Sequence, residues 1–378
     1  MSKVIRLLDR TRTVADWTCE RSRYLGYELE GRGITKSTLS LELFLGIAVH
    51  DALATIASLH QESLFSIDEL ARTAFYQVYD RLIEGKEEIP EAKEFASEQG
   101  TLVEGLVRGF YKHVWPRLME QYPRIVATET EMLWPLLESE EGLNLHFMTK
   151  PDLVMEDKNG ELVYVEYKTT SSKKDKWINS WDTAVQLHSS IRATERTLGK
   201  HVSQVQIVGL YKGYESYGKQ GSPFCYAYKK SGNPPFTQDQ IVYEYKPGFK
   251  RYATWELPGG VKDWVEGMPE DIIASQFPMT APIFVNEDLI NAFFRQRKVR
   301  EETIAVAVSY LKDERTSEQE RLEILDEVFP QKFDKCSPSF GWECQFKNIC
   351  HGSVPYPLSS GYKLRTPHHK PELDLFKE

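Results

Sequence analysis

The chain has 378 residues, 41% of them hydrophobic and 27% charged, with a formal net charge of −9. That length admits one elaborated domain or two, and that composition can build a sizeable core. The charge excludes a protein coated in basic residues, although a local basic groove on an acidic body stays open.

The opening segment, MSKVIRLLDRTRTVADW, lacks the apolar centre of a secretory signal. No stretch approaches the roughly 20 uninterrupted apolar residues of a membrane span, so a cytoplasmic protein without a membrane partner is expected. The first 125 or so residues read as mostly helical. Apolar residues recur at helical spacing over 41–59, with Ser40 as N-cap, and again over 66–85 and 100–122. The pattern then turns to strands at 127–137 and 142–156. Asn159-Gly160 marks a hairpin, and 161–170 is the return strand. A helix over 181–199 and a strand over 202–214 complete a mixed α/β core. Residues 215–282 read as loops and short strands, 286–311 and 317–329 as helices, and the end as an extended tail. The chain divides into a helical part (1–125), a core (126–215) and a loop-rich, then helical, C-terminal part (216–378).

Two basic runs, SKKDKW (172–177) and RQRKVR (295–300), read as solvated faces. Five cysteines are few for a disulfide scaffold, but three crowd near the C-terminus, where a metal or cluster site is expected.

The chemistry concentrates in KPDLVMEDKNGELVYVEYKTT (150–170). Side chains alternate along a strand, so Leu162, Tyr164, Glu166 and Lys168 share one face. Val163, Val165 and Tyr167 share the other, the natural core face. Pairing through the turn brings Asp152 alongside. Two carboxylates suit a hard divalent cation such as Mg²⁺ or Mn²⁺, and a lysine beside them can hold a water. The set fits metal-assisted phosphodiester hydrolysis. The alternative is a surface hairpin with an exposed ion pair, worth ~0–1 kcal/mol.

Pro151-Asp152, thirteen residues, then Glu166-x-Lys168 on a hairpin resembles the PD-(D/E)XK nuclease superfamily. Gly46-Ile-Ala-Val-His50 is similar to the helical G-x-x-x-H of its RecB-like branch, in which the histidine is a metal ligand; Gly46, one turn earlier, leaves room on that face. Gln186 matches a glutamine of the family, although the tyrosine common four residues later is Ser190 here. Glu131 fits an acidic position often seen in the branch. Cys19 at one end with Cys336, Cys344 and Cys350 at the other resembles the iron–sulfur nucleases of the AddB type and the CRISPR-associated RecB-like exonucleases. There four thiolates hold one [4Fe–4S] cluster. The closing five-residue gap matches that pattern, and the seven-residue gap is longer than the usual two. Zn²⁺ accepts the same four ligands. Cys225 has no place in the pattern and reads as a lone thiol.

The resemblance implies a restriction-endonuclease-like mixed sheet flanked by helices. It implies that His50, Asp152, Glu166 and the Tyr167 carbonyl bind Mg²⁺ or Mn²⁺, that Lys168 positions the attacking water, and that Gln186 orients Lys168 or the substrate. The implied activity is an exonuclease on DNA, single-stranded or with free ends, in recombination, repair, phage DNA processing or CRISPR adaptation, with a helicase or CRISPR-adaptation partner. An RNA nuclease or a structure-specific endonuclease is a rival within that class. A non-catalytic DNA-binding or assembly subunit that keeps the fold and the cluster is the rival outside it. The chain carries no G-x-x-x-x-G-K-[ST], so any unwinding comes from elsewhere.

Overall fold

The computed structural model describes residues 4–37, 40–60, 62, 65–138, 143–170, 177–178, 181, 185–212, 226–229, 241–242, 251–253, 260–266, 270–336, 343–352, 358 and 361–367. Its first half runs β1 (Val4–Leu8), α1 (Arg10–Thr18), α2 (Glu20–Arg23), β2 (Ile34–Lys36), α3 (Leu41–Leu59), α4 (Ile67–Ile83), α5 (Pro90–Gly109), α6 (Trp115–Gln121), β3 (Arg124–Thr128), β4 (Met132–Leu137), β5 (Leu143–Thr149), β6 (Leu153–Glu156) and β7 (Leu162–Thr170). There follow α7 (Val185–Leu198), β8 (Val202–Tyr211), β9 (Tyr226–Lys229), β10 (Ile241–Val242), β11 (Arg251–Ala253), α8 (Gly260–Glu266), α9 (Glu270–Gln276), β12 (Ile283–Phe284), α10 (Glu287–Lys312), α11 (Glu318–Val328), α12 (Lys347–Cys350) and β13 (Tyr362–Leu364). The fold is mixed α/β.

The β6–β7 hairpin is the centre of a five-stranded sheet ordered β12-β8-β7-β6-β3. Leu153 pairs with Val165 and Glu156 with Leu162, in antiparallel register. Its loop spans three residues rather than the two of a tight Asn-Gly turn. The Asp157 N–H donates to the Glu161 carbonyl at 3.0 Å, and Gly160 takes φ 80°. Glycine adopts that left-handed conformation without a Cβ penalty. The Asp157 carboxylate accepts the Asn159 and Glu161 N–H groups, both at 2.9 Å, and so pins the loop. On its other edge β7 pairs in parallel with β8, with α7 as the crossover that parallel strands require.

Because β7 is central, both of its faces are buried. Val163, Val165 and Tyr167 pack against α3, α4 and α5, as alternation expects. Leu162 and Tyr164, expected on the outer face, lie in a second core with Leu8, Phe147, Ile191 and Phe293. That second core is roofed by a three-stranded sheet ordered β1-β5-β4. The N-terminal strand β1, expected to be helical, runs parallel to β5, with Leu8 opposite Phe147. The three sequence stretches therefore interleave: β1 joins β5, and β12 joins β8.

Two expected strands each prove to be two. The run 127–137 breaks between β3 and β4, and the run 142–156 breaks at Lys150-Pro151-Asp152 between β5 and β6. In each case the chain leaves one sheet for the other. Pro151 cannot donate to a ladder, and Glu129 takes φ 46°, a left-handed conformation that few non-glycine residues adopt. The Glu129 N–H donates to the Pro151 carbonyl at 3.1 Å, so the two breaks face each other.

The helix α3 starts at Ser40, whose hydroxyl accepts the Leu43 N–H at 3.3 Å. Leu45, Val49, Leu53 and Ile56 bury one stripe, each contributing about 1.5–3 kcal/mol. The helix is apolar and long enough to span a bilayer by composition, but it packs here on the sheet. A Cβ at Gly46 would lie 3.2 Å from Thr169 Oγ1, so the glycine allows α3 to approach the end of β7 closely. The helix expected at 100–122 begins ten residues earlier, with Pro90 in its first turn. Asn286 and Ser317 cap α10 and α11, the latter through a full capping box with Glu320.

The run RQRKVR is not simply a solvated face. Arg297 is buried on α10 and bonds Asp16 at 2.8 Å, and Arg300 bonds the same carboxylate at 2.8 Å. These pairs tie α10 to α1. The ends of the chain also meet: β13 pairs with β2, with Leu364 opposite Ile34. SKKDKW up to residue 176, Cys225 and most of 215–259 lie outside the described residues.

Candidate active site and cysteine site

The site forms where the two sheets part. Asp152 follows Pro151 at the start of β6, one step beyond the pair Leu153–Val165 and so opposite Glu166. It is held by its backbone neighbour across the strands, because the Tyr167 N–H donates to Asp152 Oδ2 at 2.6 Å. Its other oxygen faces α3, where His50 Nδ1 lies 3.2 Å away. Glu129 completes this side. One ligand atom each from His50, Glu129 and Asp152 lie within 4.8 Å of one another. The donor set, one imidazole nitrogen and two carboxylate oxygens, fits Mn²⁺ or Mg²⁺.

The electrostatics of this side favour a cation. Burial pushes the Glu129 carboxyl above its ordinary value, and the Asp152 carboxylate adds to the rise, against Lys150 and His50. Lys150 bonds Glu129 from the solvent side at 2.5 Å. Burial disfavours the His50 imidazolium, but the Asp152 carboxylate outweighs it and holds the histidine above its usual range. A proton on His50 thus occupies part of the charge deficit that a metal would fill.

Glu166 sits differently. It is 3% exposed, and its Oε1 accepts from both Lys168 and Arg10. Its Oε2 accepts the Tyr164 hydroxyl at 3.0 Å. Burial alone would raise the carboxyl, yet Lys168 and Arg10 hold it down at about 2. Burial, with the charge of Glu166, keeps the Tyr164 phenol well above its ordinary range, while a Ser190 hydrogen bond acts in the other direction. Arg10 and Ser190 line one cleft together with Thr11, Met148, Thr149, Lys150, Asp152, Tyr164 and Glu166.

Of the residues expected at the metal, His50 and Asp152 converge, and Glu129, which was not expected there, joins them. Glu166 lies across the hairpin, bonded to Lys168. The Tyr167 ring is buried between Phe110 and His50, with centroids at 5.2 Å and 6.3 Å. Gln186 falls on α7, its side chain outside the described residues. Glu131 precedes β4 in the connection from β3 rather than lying on a strand. Reading the sequence overlooked Glu129 and Arg10. Pro151 inside a supposed strand was a signal for the sheet switch that positions Glu129. Arg10 had no local signal.

Cys19 lies at the junction of α1 and α2, with its sulfur 4.0 Å from the Pro330 carbonyl. Arg21 straps this junction to the C-terminal segment: its N–H donates to the Pro330 carbonyl at 3.2 Å, and its Nε to that of Phe329 at 2.7 Å. The Cys344 N–H donates to the Cys336 carbonyl at 3.1 Å, and Gln331 donates to the Cys350 carbonyl at 3.2 Å. Two of the thiols, Cys336 and Cys350, feel their neighbours. Burial pushes Cys350 up to about 11, where Arg21 opposes the rise and Cys344, Cys19 and Cys336 add to it. Burial also raises Cys336, with Cys344 and Cys19 adding. A cation shared by the thiolates would relieve both effects. Among the described residues, no three of these sulfurs lie within 4.8 Å of one another.

Three comparisons bear on this arrangement. The search of curated proteins gives no match. A solved structure titled "Crystal structure of SSO0001" aligns over 75% of this chain and 96% of its own, at 11% identity and a TM-score of 0.22, too low to carry an argument. The family model of the PD-(D/E)XK nuclease superfamily matches residues 17–351, which include His50, the whole hairpin and all four clustered cysteines. The chain belongs to the PD-(D/E)XK nuclease superfamily.

Proposed function

We propose that the protein is a metal-dependent deoxyribonuclease that degrades DNA from free ends. The observation that carries this reading is the convergence of His50, Glu129 and Asp152 on one side of a hairpin whose return strand presents Glu166 and Lys168. A divalent cation held by His50, Asp152, Glu166 and the Tyr167 carbonyl, with Glu129 beside them, would supply Lewis acidity toward a phosphoryl oxygen. The rest is done by side chains. Lys168, partly exposed, holds the attacking water. Glu166 fixes the Lys168 ammonium, and the Tyr164 hydroxyl fixes Glu166 in turn. Gln186, by the resemblance to the family, would orient Lys168 or the substrate. Action on ends, and a role in recombination, repair, phage DNA processing or CRISPR adaptation beside a helicase or adaptation partner, follow from the RecB-like resemblance alone.

The cysteines act in this reading as a staple. A zinc ion with bonds of ~2.3 Å holds four sulfurs roughly 3.8 Å apart. A [4Fe–4S] cluster on the same four thiolates is the reading that the resemblance to the iron–sulfur nucleases supports. The anaerobically purified protein is then brown, absorbing near ~400 nm. A colourless protein with one equivalent of zinc replaces the cluster and leaves the nuclease reading standing.

One observation favours a second reading, a non-catalytic DNA-binding subunit: both oxygens of Glu166 are already bonded within the protein. End-labelled single- and double-stranded DNA, incubated with Mg²⁺, Mn²⁺ or chelator, separates the two. Cleavage that needs the metal supports the nuclease. Binding without cleavage under every metal supports the subunit.

A further inference from the structure

Glu166 carries more positive charge than a single carboxylate needs. Lys168 and Arg10 both donate to its Oε1. Lys168 comes from the same strand, two residues on. Arg10 comes from the first turn of α1, and α1 is delivered to the site by the parallel pairing of β1 with β5. The position of Arg10 is well fixed, since Asp9 just before it caps α1 by accepting the Arg12 N–H at 2.7 Å. The Arg10 side chain is 34% exposed, whereas that of Glu166 is 3% exposed. The only bond recorded for the Arg10 guanidinium among the described residues is the one to Glu166. A guanidinium carries five N–H donors in a planar fork, so most of its capacity remains for a ligand.

The cleft beside it holds two cations, Arg10 and Lys150, among three carboxylates, Asp9, Asp152 and Glu166. Besides Arg10 it offers the Lys150 ammonium, which also bonds Glu129, and the Thr149 hydroxyl. Its acids are otherwise engaged. Asp9 is bonded by Arg12 and Thr11, and Asp152 is bonded by Tyr167. The cleft also borders Asp152 and Glu166, so a phosphate seated in it is next to the metal side of the hairpin.

We propose that Arg10 is a phosphate-binding residue of the site that guards Glu166 until substrate arrives: with the cleft empty it competes with metal for Glu166 Oε1, and with a nucleic-acid phosphate in the cleft it turns to that phosphate and frees the carboxylate. The ligand is a phosphate of the bound strand, held by a planar fork that matches it bidentately. The proposal rests on the nuclease reading given above, and it adds a residue that the superfamily's defining motif does not contain.

The test uses the full chain with Arg10→Ala and Arg10→Lys, read by Mn²⁺ titration without DNA and by cleavage kinetics at saturating Mn²⁺. Removing the competitor makes Arg10→Ala bind Mn²⁺ roughly tenfold more tightly, the scale on which partners of metal ligands act. The same variant loses roughly 10²-fold in kcat/KM, as loss of one charge-stabilising donor does. Arg10→Lys keeps the charge but not the fork, so its Mn²⁺ affinity stays near that of the wild type while cleavage stays reduced. A purely structural ion pair gives a different pattern: Arg10→Ala then weakens Mn²⁺ binding and cleavage together, and Arg10→Lys restores both. Mn²⁺ binding that is unchanged or weaker in Arg10→Ala overturns the proposal and leaves the nuclease reading intact. A wild-type protein that neither binds Mn²⁺ nor cleaves overturns both.

Discussion

Asp152 and Glu166 face each other across one hairpin, yet they live in opposite surroundings. On the α3 side two acids, Glu129 and Asp152, share one lysine and a histidine that is cationic only when protonated. Burial and a neighbouring carboxylate push Glu129 up, and Asp152 draws a proton onto His50. On the α1 side one acid meets two cations and is held down at about 2. The first side has a deficit of positive charge and the second a surplus. In the proposed function a metal ion would fill the deficit and a phosphate the surplus. The contrast teaches that one hairpin can bring both halves of the proposed site together, because its register seats Asp152 opposite Glu166 while different helices approach each carboxylate.

The largest expected effect breaks this contrast at its centre. Glu166→Ala leaves Arg10 and Lys168 without their shared acceptor and removes the anchor of the water-positioning amine. Cleavage falls by roughly 10³-fold, the upper end for loss of one preorganised electrostatic group, while the circular-dichroism spectrum is kept. Wild-type activity in this variant removes the catalytic assignment from the α1 side. A smaller change is expected on the α3 side. His50→Ala weakens cleavage by roughly 10–100-fold, and higher Mn²⁺ restores part of it, because one ligand of several is lost. No response to metal concentration would place His50 outside the metal set.

The pH dependence sharpens the same contrast. Metal binding needs neutral His50, whose value is raised, so Mn²⁺ affinity climbs as pH rises through a value above the ordinary 6.5. In the metal-free protein the sign is reversed. The His50–Asp152 pair contributes stability that is complete below about 6.5 and lost as pH rises through the raised folded-state value. For Glu166 the shift is downward, so its contribution is present above its ordinary 4.5 and lost as pH falls toward about 2. Urea melts of the metal-free protein across pH read both slopes. The smallest effect lies far from either side. Ser317→Ala removes the capping box of α11 and costs about 1 kcal/mol of stability without changing cleavage.

What the sequence made legible was local. The alternation in β7, Asn159-Gly160, Glu166-x-Lys168 and the helical spacing of Gly46 and His50 all sit within one element or one turn, where periodicity speaks directly. The second buried face of β7 could not be read that way, because what covers Leu162 and Tyr164 includes β1 and β5. Arg10 depends on that same pairing, Leu8 with Phe147, between segments far apart in the chain. Periodicity has no access to such a register. Glu129 was hidden by its own backbone, since an alternating pattern through 127–137 conceals a left-handed residue that ends one strand and turns the chain into the next sheet. Arg297 and Arg300 looked like solvent-facing charge because Asp16, their partner, lies on a helix at the other end of the sequence.

The helix α1 has one end in each half of the protein's chemistry. Arg10 begins it beside Glu166, and Cys19 closes it as the C-cap among the other cysteines. Nine residues at about 1.5 Å each make a strut of roughly 14 Å, too short and too firmly hydrogen-bonded to bend. Its middle is clamped by Asp16 to α10. A strut so mounted transmits displacement rather than absorbing it. Slack at the sulfur end, from oxidation or from loss of whatever the thiols hold, becomes a shift of the guanidinium at the other. On the proposed function, the cysteines need touch no substrate and pass no electrons to influence the alignment of Glu166.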